Sequence, residues 1–445
     1  MKLEGKRALV IGLGKSGLAA VRFLVARGAI VAAADLRART ELFRAVEALA
    51  KLPVSLHFGA HPDSLLLEQD LIVPSPGVPW SLPGLALARR SGVSVCGELE
   101  IAAASLQGRV IGVTGTNGKT TTASLIWHVL RHAGVPGALA GNIGTPVLDV
   151  VDDSRPDHWH VLELSSFQLE ASRSFRCHIA AVLNVTPDHL DRHAGFAAYA
   201  AAKARILRNQ TPSDAAVLNA NDAQCVAMEP LARSRVVRFG VDCRDGLSAC
   251  AQHGRIRFEG RDVVGTDLQI KGAHNLENAL AAVAVCALAG ADLAAIAEAL
   301  QTFRPVPHRL ELIANVRGVA YYNDSKATNV AAAVRACRSF ASGLWAIVGG
   351  RDKGSDFGPL AAVLRGRAKA ALLIGEAAPL IRQELNGCVE TVEAGTLKEA
   401  LEFAAGRVER GDTVLLAPAC ASFDQFEDYI ARGEAFRRLV GELEG

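Results

Sequence analysis

The sequence predicts an α/β protein of three domains, each built on a parallel sheet. Its 445 residues suggest about three domains at roughly 150 residues each. Half of the residues are hydrophobic, glycine is frequent and aromatic residues are few, which is typical of an α/β protein rich in Ala, Leu and Val. Strand-like and helical segments alternate, and this pattern restarts near residues 97 and 303. We therefore predict domains at 1–97, 98–303 and 304–445.

Composition excludes several classes of protein. The formal net charge is +2, so no strongly basic surface for nucleic acid is indicated. No apolar run approaches the ~20 residues of a membrane span, and the N-terminus lacks the pattern of a signal peptide. The nine cysteines are scattered without Cys-x-x-Cys spacing, which predicts reduced thiols and neither disulfides nor a zinc site. We expect a cytoplasmic monomer without nucleic-acid or membrane partners, although no sequence feature determines the oligomeric state.

The segment 109–124, RVIGVTGTNGKTTTAS, predicts a phosphate-binding loop. A buried strand ends near Val113, a glycine-rich turn spans 115–120, and a helix follows from Thr121. Glycines let backbone N–H groups approach phosphates, Lys119 can reach the terminal phosphates, and Thr120 offers a hydroxyl to Mg²⁺. The strict P-loop spacing requires a glycine at 113, whereas this chain has Gly112. The pattern indicates a central P-loop ATPase-type domain that binds ATP; a glycine turn that binds nothing is the alternative.

A second glycine loop, Gly12–Gly17, lies between a strand at 7–11 and a helix ending near Ala26. With Asp35 at the end of the next strand, it matches the dinucleotide fingerprint of a Rossmann-like domain. It could bind NAD, bind the diphosphate of another nucleotide, or provide only close packing. The proline-rich turn 74–79 follows another strand and either faces a ligand or is simply rigid.

Three polar segments follow the ATP loop, at 141–146, 161–168 and 184–193. The last two follow strands, whose C-terminal ends present ligand-binding groups in an open parallel sheet. Glu163 lies between two leucines, where a carboxylate is costly unless it is paired. Mg²⁺ or a buried cation could provide that partner. His189 could be a metal ligand or a hydrogen-bonding loop residue, and its chemistry does not decide between them.

Two later segments carry polar residues on predicted helices. Lys203 lies on a helix over 199–207, where a solvated lysine is the default interpretation. The segment 272–278 opens an Ala-rich helix, and its residues Asn275 and Asn278 could cap the helix or contact a nucleobase.

A stiff segment, 305–309, precedes the third region, in which strands are predicted at 319–322, 344–348, 370–374 and 413–416. Polar clusters end nearly every strand, which suggests a third ligand-facing sheet edge. This region is therefore predicted to be a second Rossmann-like domain.

These segments together resemble the Mur ligase family of ATP-dependent amide-forming enzymes. The motifs TGTNGKTT, ELSSFQL, NVTPDHLDRH, HNLENALAA, PHR, NDSKATN and PACASFDQF occur in that order and cover most of the chain. NDSKATN, DHLDRH and PACASFDQF are most similar to the branch that adds D-glutamate. The Asn-Pro-Arg signature of the diaminopimelate-adding branch is absent. Folylpolyglutamate synthase shares the ATP loop, but it is not expected to carry the N-terminal segment.

The resemblance implies peptidoglycan precursor synthesis in the cytoplasm. ATP would convert the carboxylate of UDP-N-acetylmuramoyl-L-alanine to an acyl phosphate, which the amine of D-glutamate would attack. The protein would mainly position the reactants and neutralise charge. ATP and two Mg²⁺ ions are the implied cofactors, and the resemblance also implies that CO₂ carbamylates Lys203.

Residue roles are implied by matching motifs. The catalytic set is Lys119, Asn142, Glu163, His189 and Lys203. ATP would be bound by Gly115, Thr116, Asn117, Gly118, Lys119, Thr120, Thr121, Asn275, Asn278, Arg309 and Asp324. The metal ligands would be Thr120, Glu163, His189 and carbamylated Lys203. The UDP substrate would contact Gly14, Lys15, Ser16, Asp35, Arg37, Gly77 and Asn142. D-glutamate would contact Lys326, Thr328, Lys353, Ser422 and Phe423.

The chain departs from the family pattern at two places. Leu36 stands where the family often has a hydroxyl residue, so no uracil contact is assigned to it. The loop after His193 is one residue short, but the pair Tyr199 and Lys203 is preserved, and Tyr429 stands where an aromatic residue is expected.

Three functions compete at this stage. The first is the ligase, with D-glutamate or the amino acid of a sibling enzyme. The second is an NAD-dependent oxidoreductase with an appended ATPase, although no hydride-accepting site is recognisable. The third is a non-catalytic ATP-binding regulator. Polar strand ends in all three regions argue against the third, because a binding module needs only one site.

Overall fold

The computed structural model describes residues 2–190, 192–270, 272–304 and 307–443. Asp191 of the third polar segment, and Pro305 and Val306 of the predicted stiff segment, lie outside the described residues. The described part contains sheets of five, nine and six strands, one for each of three α/β domains. By internal contacts the chain divides into two compact units, 1–185 with 200–303, and 186–199 with 304–445. The first unit contains the first two sheets, and the second contains the third.

The first sheet has the order β3-β2-β1-β4-β5, and all its pairs are parallel. Its strands are continuous apolar runs because helices cover both faces. The order changes direction between β1 and β4, which is where this kind of sheet opens a ligand crevice. The strands are β1 (Arg7–Ile11), β2 (Ile30–Asp35), β3 (Val54–Phe58), β4 (Leu71–Pro74) and β5 (Ser94–Val95). The helices are α1 (Lys15–Ala26), α2 (Phe43–Leu49), α3 (Asp63–Leu67) and α4 (Pro83–Arg90), with a 3₁₀ helix at Arg39–Leu42.

The second sheet has the order β14-β13-β12-β11-β10-β9-β6-β8-β7. It is parallel from β7 to β12 and ends in two antiparallel pairs, which the sequence pattern did not predict. The strands are β6 (Arg109–Thr114), β7 (Gly137–Gly141), β8 (Trp159–Glu163), β9 (Ile179–Val182), β10 (Ala215–Asn219), β11 (Arg235–Asp242), β12 (Ala249–Gln252), β13 (Arg255–Phe258) and β14 (Arg261–Gly265). The helices are α5 (Glu98–Ala103), α6 (Lys119–His132), α7 (Ser166–Glu170), α8 (Phe196–Ala204), α9 (Ala223–Ala227), α10 (Ala273–Leu288) and α11 (Leu293–Thr302), with 3₁₀ helices at Val147–Val150, Arg205–Leu207 and Glu229–Leu231.

The third sheet has the order β15-β16-β20-β17-β18-β19 and is parallel except for the edge pair β15 and β16. Arg317 and Gly318 both have positive φ, as a two-residue hairpin turn requires. The strands are β15 (Glu311–Val316), β16 (Val319–Asn323), β17 (Leu344–Gly349), β18 (Ala368–Ile374), β19 (Glu390–Gly395) and β20 (Thr413–Ala419). The helices are α12 (Val330–Arg338), α13 (Gly358–Leu364), α14 (Ala378–Leu385), α15 (Leu397–Ala405) and α16 (Tyr429–Glu442).

Several local predictions are corrected by the structure. Helix α6 begins at Lys119, two residues before the predicted start, so both Lys119 and Thr120 lie in its first turn. Strand β20 continues through Ala419, beyond the predicted end at 416. Cys243 and Cys250 form a disulfide, so the prediction of thiols throughout was wrong at this pair. The other seven cysteines are free, and all of them except Cys388 are buried. Across the described residues, no helix is long and apolar enough to cross a membrane.

Candidate active site

The glycines of the ATP loop provide backbone conformations that other residues rarely adopt. Gly118 is the N-cap of α6 in the left-handed conformation, with φ of 85°, and a Cβ there would collide with Asn278 Oδ1. Gly112 has a different function, because a Cβ on it would meet Cys177 Sγ within the sheet. Gly112 stands one residue before the position at which the strict P-loop pattern has a glycine, and its role is to allow close packing within the sheet beneath the loop. Helix α6 begins without a side-chain cap, which leaves its first N–H groups directed at the loop.

Two lysines converge on one carbonyl of this loop. Lys119 Nζ donates to Gly115 O at 2.9 Å and to Thr116 O at 2.8 Å. Lys203 Nζ donates to the same Gly115 O at 2.8 Å. The Lys203 side chain comes from α8 and the residue is only 1% exposed, so the interpretation as a solvated helix lysine was wrong. Periodicity could not reveal this, because α8 is rich in alanine on all faces.

Glu163 joins two other predicted residues at the end of β8. Glu163 is 2% exposed, and its carboxylate accepts hydrogen bonds from Thr120 Oγ1 at 2.7 Å and from Asn142 Nδ2 at 2.9 Å. Thr120 lies in the first turn of α6 and Asn142 follows β7, so α6, β7 and β8 together bring these side chains into contact. A hydroxyl and a carboxylate beside a phosphate loop are hard oxygen ligands of the kind that Mg²⁺ prefers. The described residues contain no cluster of three or more His, Cys, Asp or Glu side chains suited to a metal.

Asn184 holds the ATP loop and was not predicted as a site residue. Its carbonyl accepts from Thr116 N–H at 2.8 Å, and its side-chain oxygen accepts from Asn117 N–H at 2.8 Å. Its amide donates to Asn117 O at 3.1 Å. The signal in the sequence was its place directly after a strand, at the start of the third polar segment.

Asn275 and Asn278 are not helix caps, because α10 begins after Gly272 and both side chains lie within its first turns. Asn278 is buried and donates to Asn275 Oδ1 at 3.1 Å. Thr122 Oγ1 donates to Asn278 Oδ1 at 3.2 Å, which ties α10 to the start of α6. Thr121 is buried in the same turn of α6. A nucleobase contact for the two asparagines stays a prediction.

In the second unit, His189 lies beside a network centred on Asp188. His189 has φ of 54°, and its N–H donates to Asp188 Oδ1 at 2.9 Å. Asp188 also accepts from Asn329 Nδ2 at 2.9 Å, and Lys353 Nζ lies 3.5 Å from its Oδ1. Asn329 is the N-cap of α12, so the carboxylate lies at the positive end of a helix. Lys353, predicted to bind a substrate carboxylate, is thus already beside one.

Arg309 and Asp324 interact electrostatically near the start of the third domain. Burial raises the pKa of Asp324 to about 6, although the charge of Arg309 and a hydrogen bond from Leu310 N–H counteract the increase. The Leu310 bond to Asp324 Oδ1 is 3.2 Å long. An aspartate that half-ionises near neutral pH is a strongly perturbed group, and such groups often mark functional sites.

The loop after β16 is fixed by an arginine that sequence reasoning missed. Arg432 is 1% exposed, and it donates to Ser325 Oγ at 3.0 Å and to Ser325 O at 2.9 Å. It also donates to Cys420 O at 3.2 Å, next to the loop after β20. Burial lowers the pKa of Arg432 to about 10. Its position inside α16, an ordinary amphipathic helix by pattern, gave no signal.

Arg432 thereby positions the predicted D-glutamate residues on two loops. Lys326 lies over the Tyr429 ring with Nζ 3.6 Å from the centroid, and the Thr328 N–H donates to Lys326 O at 2.8 Å. Ser422 is buried, whereas Phe423 is 63% exposed.

Asp35, the last residue of β2, binds the backbone of the first glycine loop. Asp35 accepts from Leu13 N–H at 2.8 Å and from two guanidinium nitrogens of Arg37 at 3.0 and 2.9 Å. Burial alone would raise the pKa of this carboxyl group, but the bonds from Arg37 and Leu13 lower it to about 2. In an NAD site the corresponding acid binds the ribose. In this chain both carboxylate oxygens of Asp35 accept hydrogen bonds from Arg37, and one of them also accepts from Leu13 N–H.

The loops after β1 and β4 are linked directly. Ser75 Oγ donates to Gly12 O at 2.6 Å, and a Cβ on Gly17 would collide with that same oxygen. Gly14, Lys15 and Gly77 are exposed beside this junction. The glycines therefore provide close packing, and the exposed residues leave a surface for a ligand.

Comparisons with known proteins agree with this architecture. Residues 6–97 match the MurD-like N-terminal domain of Mur ligases, 113–286 match the Mur ligase middle domain, and 308–420 match the Mur ligase glutamate ligase domain. The chain belongs to the Mur ligase family, whose members use ATP and Mg²⁺.

Two members of the family are similar to this chain over nearly its full length, and both are named as D-glutamate ligases. The chain is 49% identical to the UDP-N-acetylmuramoylalanine–D-glutamate ligase of Solibacter usitatus, covering 100% of this chain and 99% of the relative. It is 47% identical to the enzyme of the same name from Acidobacterium capsulatum, covering 99% and 97%.

Solved structures share the fold. A UDP-N-acetylmuramate-alanine ligase, MurC, from Thermotoga maritima superposes with a TM-score of 0.64 at 21% identity, covering 98% of this chain and 99% of that one. A pseudomurein peptide ligase type C from Methanothermus fervidus gives 0.63 at 20% identity, covering 99% and 100%. At these identities the likeness concerns the fold alone.

Proposed function

We propose that this chain is an ATP-dependent ligase that joins D-glutamate to UDP-N-acetylmuramoyl-L-alanine in peptidoglycan precursor synthesis. The observation that carries the proposal is the end-to-end similarity to relatives of that name at 49% and 47% identity. The cluster of Lys119, Thr120, Glu163 and Asn142 supports it, because it provides what activation of a carboxylate by ATP requires.

A carboxylate does not react with an amine at neutral pH, so its oxygen must first become a leaving group. In the proposed first step the substrate carboxylate attacks the γ-phosphorus of ATP, ADP leaves, and an acyl phosphate forms. Bound Mg²⁺ supplies charge neutralisation on the phosphates. Lys119 is placed to exchange its loop carbonyls for the γ-phosphate, and Asn142 can hold the acyl end because it lies beside Glu163.

In the second step the amine of D-glutamate attacks the acyl carbon, phosphate leaves, and the amine loses a proton to solvent. Lys326, Thr328, Lys353, Ser422 and Phe423 are proposed to bind the amino acid, because its two carboxylates need cations and hydroxyls. Arg309 and Asp324 are proposed to contact ATP. His189 is proposed to bind or orient a second Mg²⁺.

Lys203 is proposed to be carbamylated. Its side chain is buried and lies at the carbonyl of Gly115 in the phosphate loop, beside Lys119. The neutral nitrogen attacks the carbon of CO₂, an N–C bond forms, and one proton is released to solvent. The product is an anion, which suits a cation beside the phosphate loop better than an ammonium does. Restoration of a Lys203→Ala variant by short carboxylic acids tests the proposal, and the absence of any restoration would argue against it.

The UDP moiety is proposed to bind the first glycine loop through Gly14, Lys15, Ser16, Asp35, Arg37 and Gly77. The NAD-dependent alternative loses support because residues 6–97, 113–286 and 308–420 match the domains of Mur ligases. No absorbance change at the nicotinamide wavelength is expected with NAD(P)H.

The decisive assay measures ADP or phosphate release from Mg-ATP with UDP-N-acetylmuramoyl-L-alanine. D-glutamate is compared with L-lysine, meso-diaminopimelate and no amino acid. Release that requires both the nucleotide sugar and D-glutamate is expected. Release with another amino acid would assign the chain to a sibling activity, and no release under any combination would refute the ligase. Light scattering in the same buffer tests the proposed monomer of 46.8 kDa.

A further inference from the structure

His308, in the PHR motif, is a buried histidine to which none of the roles above is assigned. The residue is 4% exposed, and its backbone has φ of 63°, in the left-handed region. Its N–H donates to Glu311 Oε2 at 2.9 Å, and its carbonyl accepts from Lys326 N–H at 3.1 Å. The start of the third domain is thereby joined to the loop after β16, which carries residues proposed to bind D-glutamate.

Asn323, the last residue of β16, determines which ring nitrogen of His308 carries hydrogen. Asn323 Oδ1 accepts from Ser325 N–H at 3.0 Å, so its Nδ2 is the atom that faces the histidine. That Nδ2 donates to Gly433 O at 3.1 Å and to His308 Nδ1 at 3.0 Å, which uses both of its hydrogens. His308 Nδ1 is therefore an acceptor. The other ring nitrogen, Nε2, carries the hydrogen and lies 3.3 Å from Glu434 Oε1.

Helix α16 packs directly on this ring. A Cβ on Gly433 would lie 2.3 Å from His308 Nδ1, so glycine is needed for the helix to approach this closely. Gly433 follows Arg432, whose guanidinium donates to Ser325 O at 2.9 Å, and Ser325 Oγ donates to Tyr429 O at 2.8 Å. The His308 ring thus sets the distance between α16 and β16, and with it the position of the loop after β16.

A protonated His308 ring is incompatible with this network. Protonation would place a hydrogen on Nδ1, where it would face the Nδ2 hydrogens of Asn323. Asn323 cannot turn over to present its oxygen instead, because Ser325 N–H and Gly433 O would then each face a like group. Acid therefore breaks the link between β16 and α16.

Charged groups around the ring act on its protonation in both directions. Burial lowers the pKa of His308 below the ordinary value of 6.5, and the charge of Arg437 adds to the decrease, whereas Glu434, Glu311 and Asp428 counteract it. Arg437 is itself paired with Glu311 at 2.8 Å and lies 3.8 Å from Glu434. Further ionisable side chains on the elements and loops joined here are those of Arg309, Asp324, Lys326, Tyr429 and Arg432.

We propose that the neutral His308 ring is a positioning residue for D-glutamate, and that its protonation in acid releases the loop after β16 and lowers the affinity for that substrate. The inference rests on the proposed function, because it takes Lys326 and Thr328 as part of the D-glutamate site. The fraction of protein with a neutral ring sets the apparent affinity, so KM should rise up to about tenfold per pH unit below the pKa of His308.

The first test is independent of catalysis. Nitrogen NMR shifts of the imidazole rings in the full chain, assigned by comparison with His308→Asn, report which nitrogen carries hydrogen. At neutral pH we expect a neutral ring with hydrogen on Nε2, which gains a second hydrogen only below pH 6.5. Hydrogen on Nδ1 at neutral pH, or protonation above pH 6.5, would overturn the proposal.

The second test compares KM for D-glutamate from about pH 5 to 8 in wild type and two variants. His308→Ala should raise KM at neutral pH about tenfold, as loss of a buried hydrogen bond does. His308→Asn keeps an acceptor for Asn323, tolerates the left-handed backbone and does not ionise. It should recover most of that loss and should lack the increase in acid that the ring of wild type causes.

Protonation of the D-glutamate amine affects all three proteins equally, so the ratio of wild-type KM to that of His308→Asn isolates the ring. We expect this ratio to rise as pH falls. A ratio that is constant with pH would overturn the proposal, and so would a His308→Asn protein that has the neutral-pH KM of His308→Ala.

Glu434→Gln separates an effect of the proton from an effect of packing. Because the charge of Glu434 raises the pKa of His308, its removal should move the acid increase in KM to lower pH. The expected shift is roughly 0.2 to 0.7 pH unit, the size typical of a partly exposed pair. Glu442→Gln, an exposed site on the same helix beside Arg438, is the matched control and should leave the profile in place. An unchanged profile in Glu434→Gln would argue against the proposal.

Failure of this inference differs from failure of the proposed function. Phosphate release that requires D-glutamate, together with a constant KM ratio, refutes only the role of His308. No release with D-glutamate refutes the proposed function, and this inference with it, whatever the protonation of the ring.

Discussion

The side-chain ammonium groups of Lys119 and Lys203 donate to the same acceptor, the carbonyl oxygen of Gly115, at 2.9 and 2.8 Å. The two lysines come from α6 and α8, and nothing in their sequence spacing relates them. Both cationic groups lie at the loop that is proposed to hold the phosphates of ATP, and they attract negative charge there.

Lys119→Ala should reduce kcat by about 100-fold or more, because the γ-phosphate loses its positioned cation. The measurement is phosphate release with all three substrates saturating. Lys398→Ala, which removes an exposed lysine paired with Glu402, is the control and should retain full activity. Activity of Lys119→Ala above about one per cent of wild type would contradict the assigned role.

Glu163→Gln keeps the size of the side chain and an acceptor for Thr120, but it removes the negative charge. Because a neutral amide is a weaker ligand for Mg²⁺ than a carboxylate, we expect a lower kcat and a higher Mg²⁺ concentration for half-maximal rate. The rate is measured against Mg²⁺ at saturating substrates, with the surface variant Glu402→Gln alongside. An unchanged Mg²⁺ dependence would place the metal elsewhere.

Asp324→Asn should change stability in a pH-dependent way. The folded-state pKa of about 6 exceeds the ordinary value of 3.8, so the folded protein binds the proton more tightly than the unfolded chain does. The stability that this proton contributes is present below about pH 4 and is lost as pH rises to about 6. At neutral pH the variant should therefore be more stable than wild type by about 2 kcal/mol, after allowance for solvent screening.

Urea unfolding at several pH values measures this difference. The difference in the free energy of unfolding between Asp324→Asn and wild type should vanish at acidic pH, where Asp324 of wild type is protonated. At neutral pH the variant should also bind ATP more weakly than wild type does. A difference of constant size across the pH range would mean that ionisation of Asp324 does not cause it.

Arg432→Lys keeps the charge but cannot reproduce the fork that binds Ser325 and Cys420. We expect the KM for D-glutamate to rise more than kcat falls, because Arg432 positions the loops and touches no substrate. Arg438→Lys, on the same helix and exposed beside Glu442, is the matched control. If Arg432→Lys lowers kcat alone, the arginine acts on the chemical step.

Much of the architecture follows from local chemistry. The three α/β repeats, the strand before each glycine loop and the first helices are determined by apolar runs and by glycine, whose freedom at Gly118 no other residue matches. The antiparallel edge strands β13–β14 and β15 were not predicted, although they pair with neighbouring strands through short turns. They mix charged or polar residues with apolar ones, so no continuous apolar run marks them in the sequence.

The sequence by itself determined the fold class, the ATP loop and the family to which the chain belongs, because each depends on residues adjacent along the chain. Only the tertiary structure decided that Lys203 is buried against Gly115, that Asp35 binds the first glycine loop at Leu13, and that Arg432 connects the loops after β16 and β20. Those contacts join residues far apart in sequence. Their energies come from burial and from shared donors and acceptors, which exist only once the sheets have brought the loop ends together.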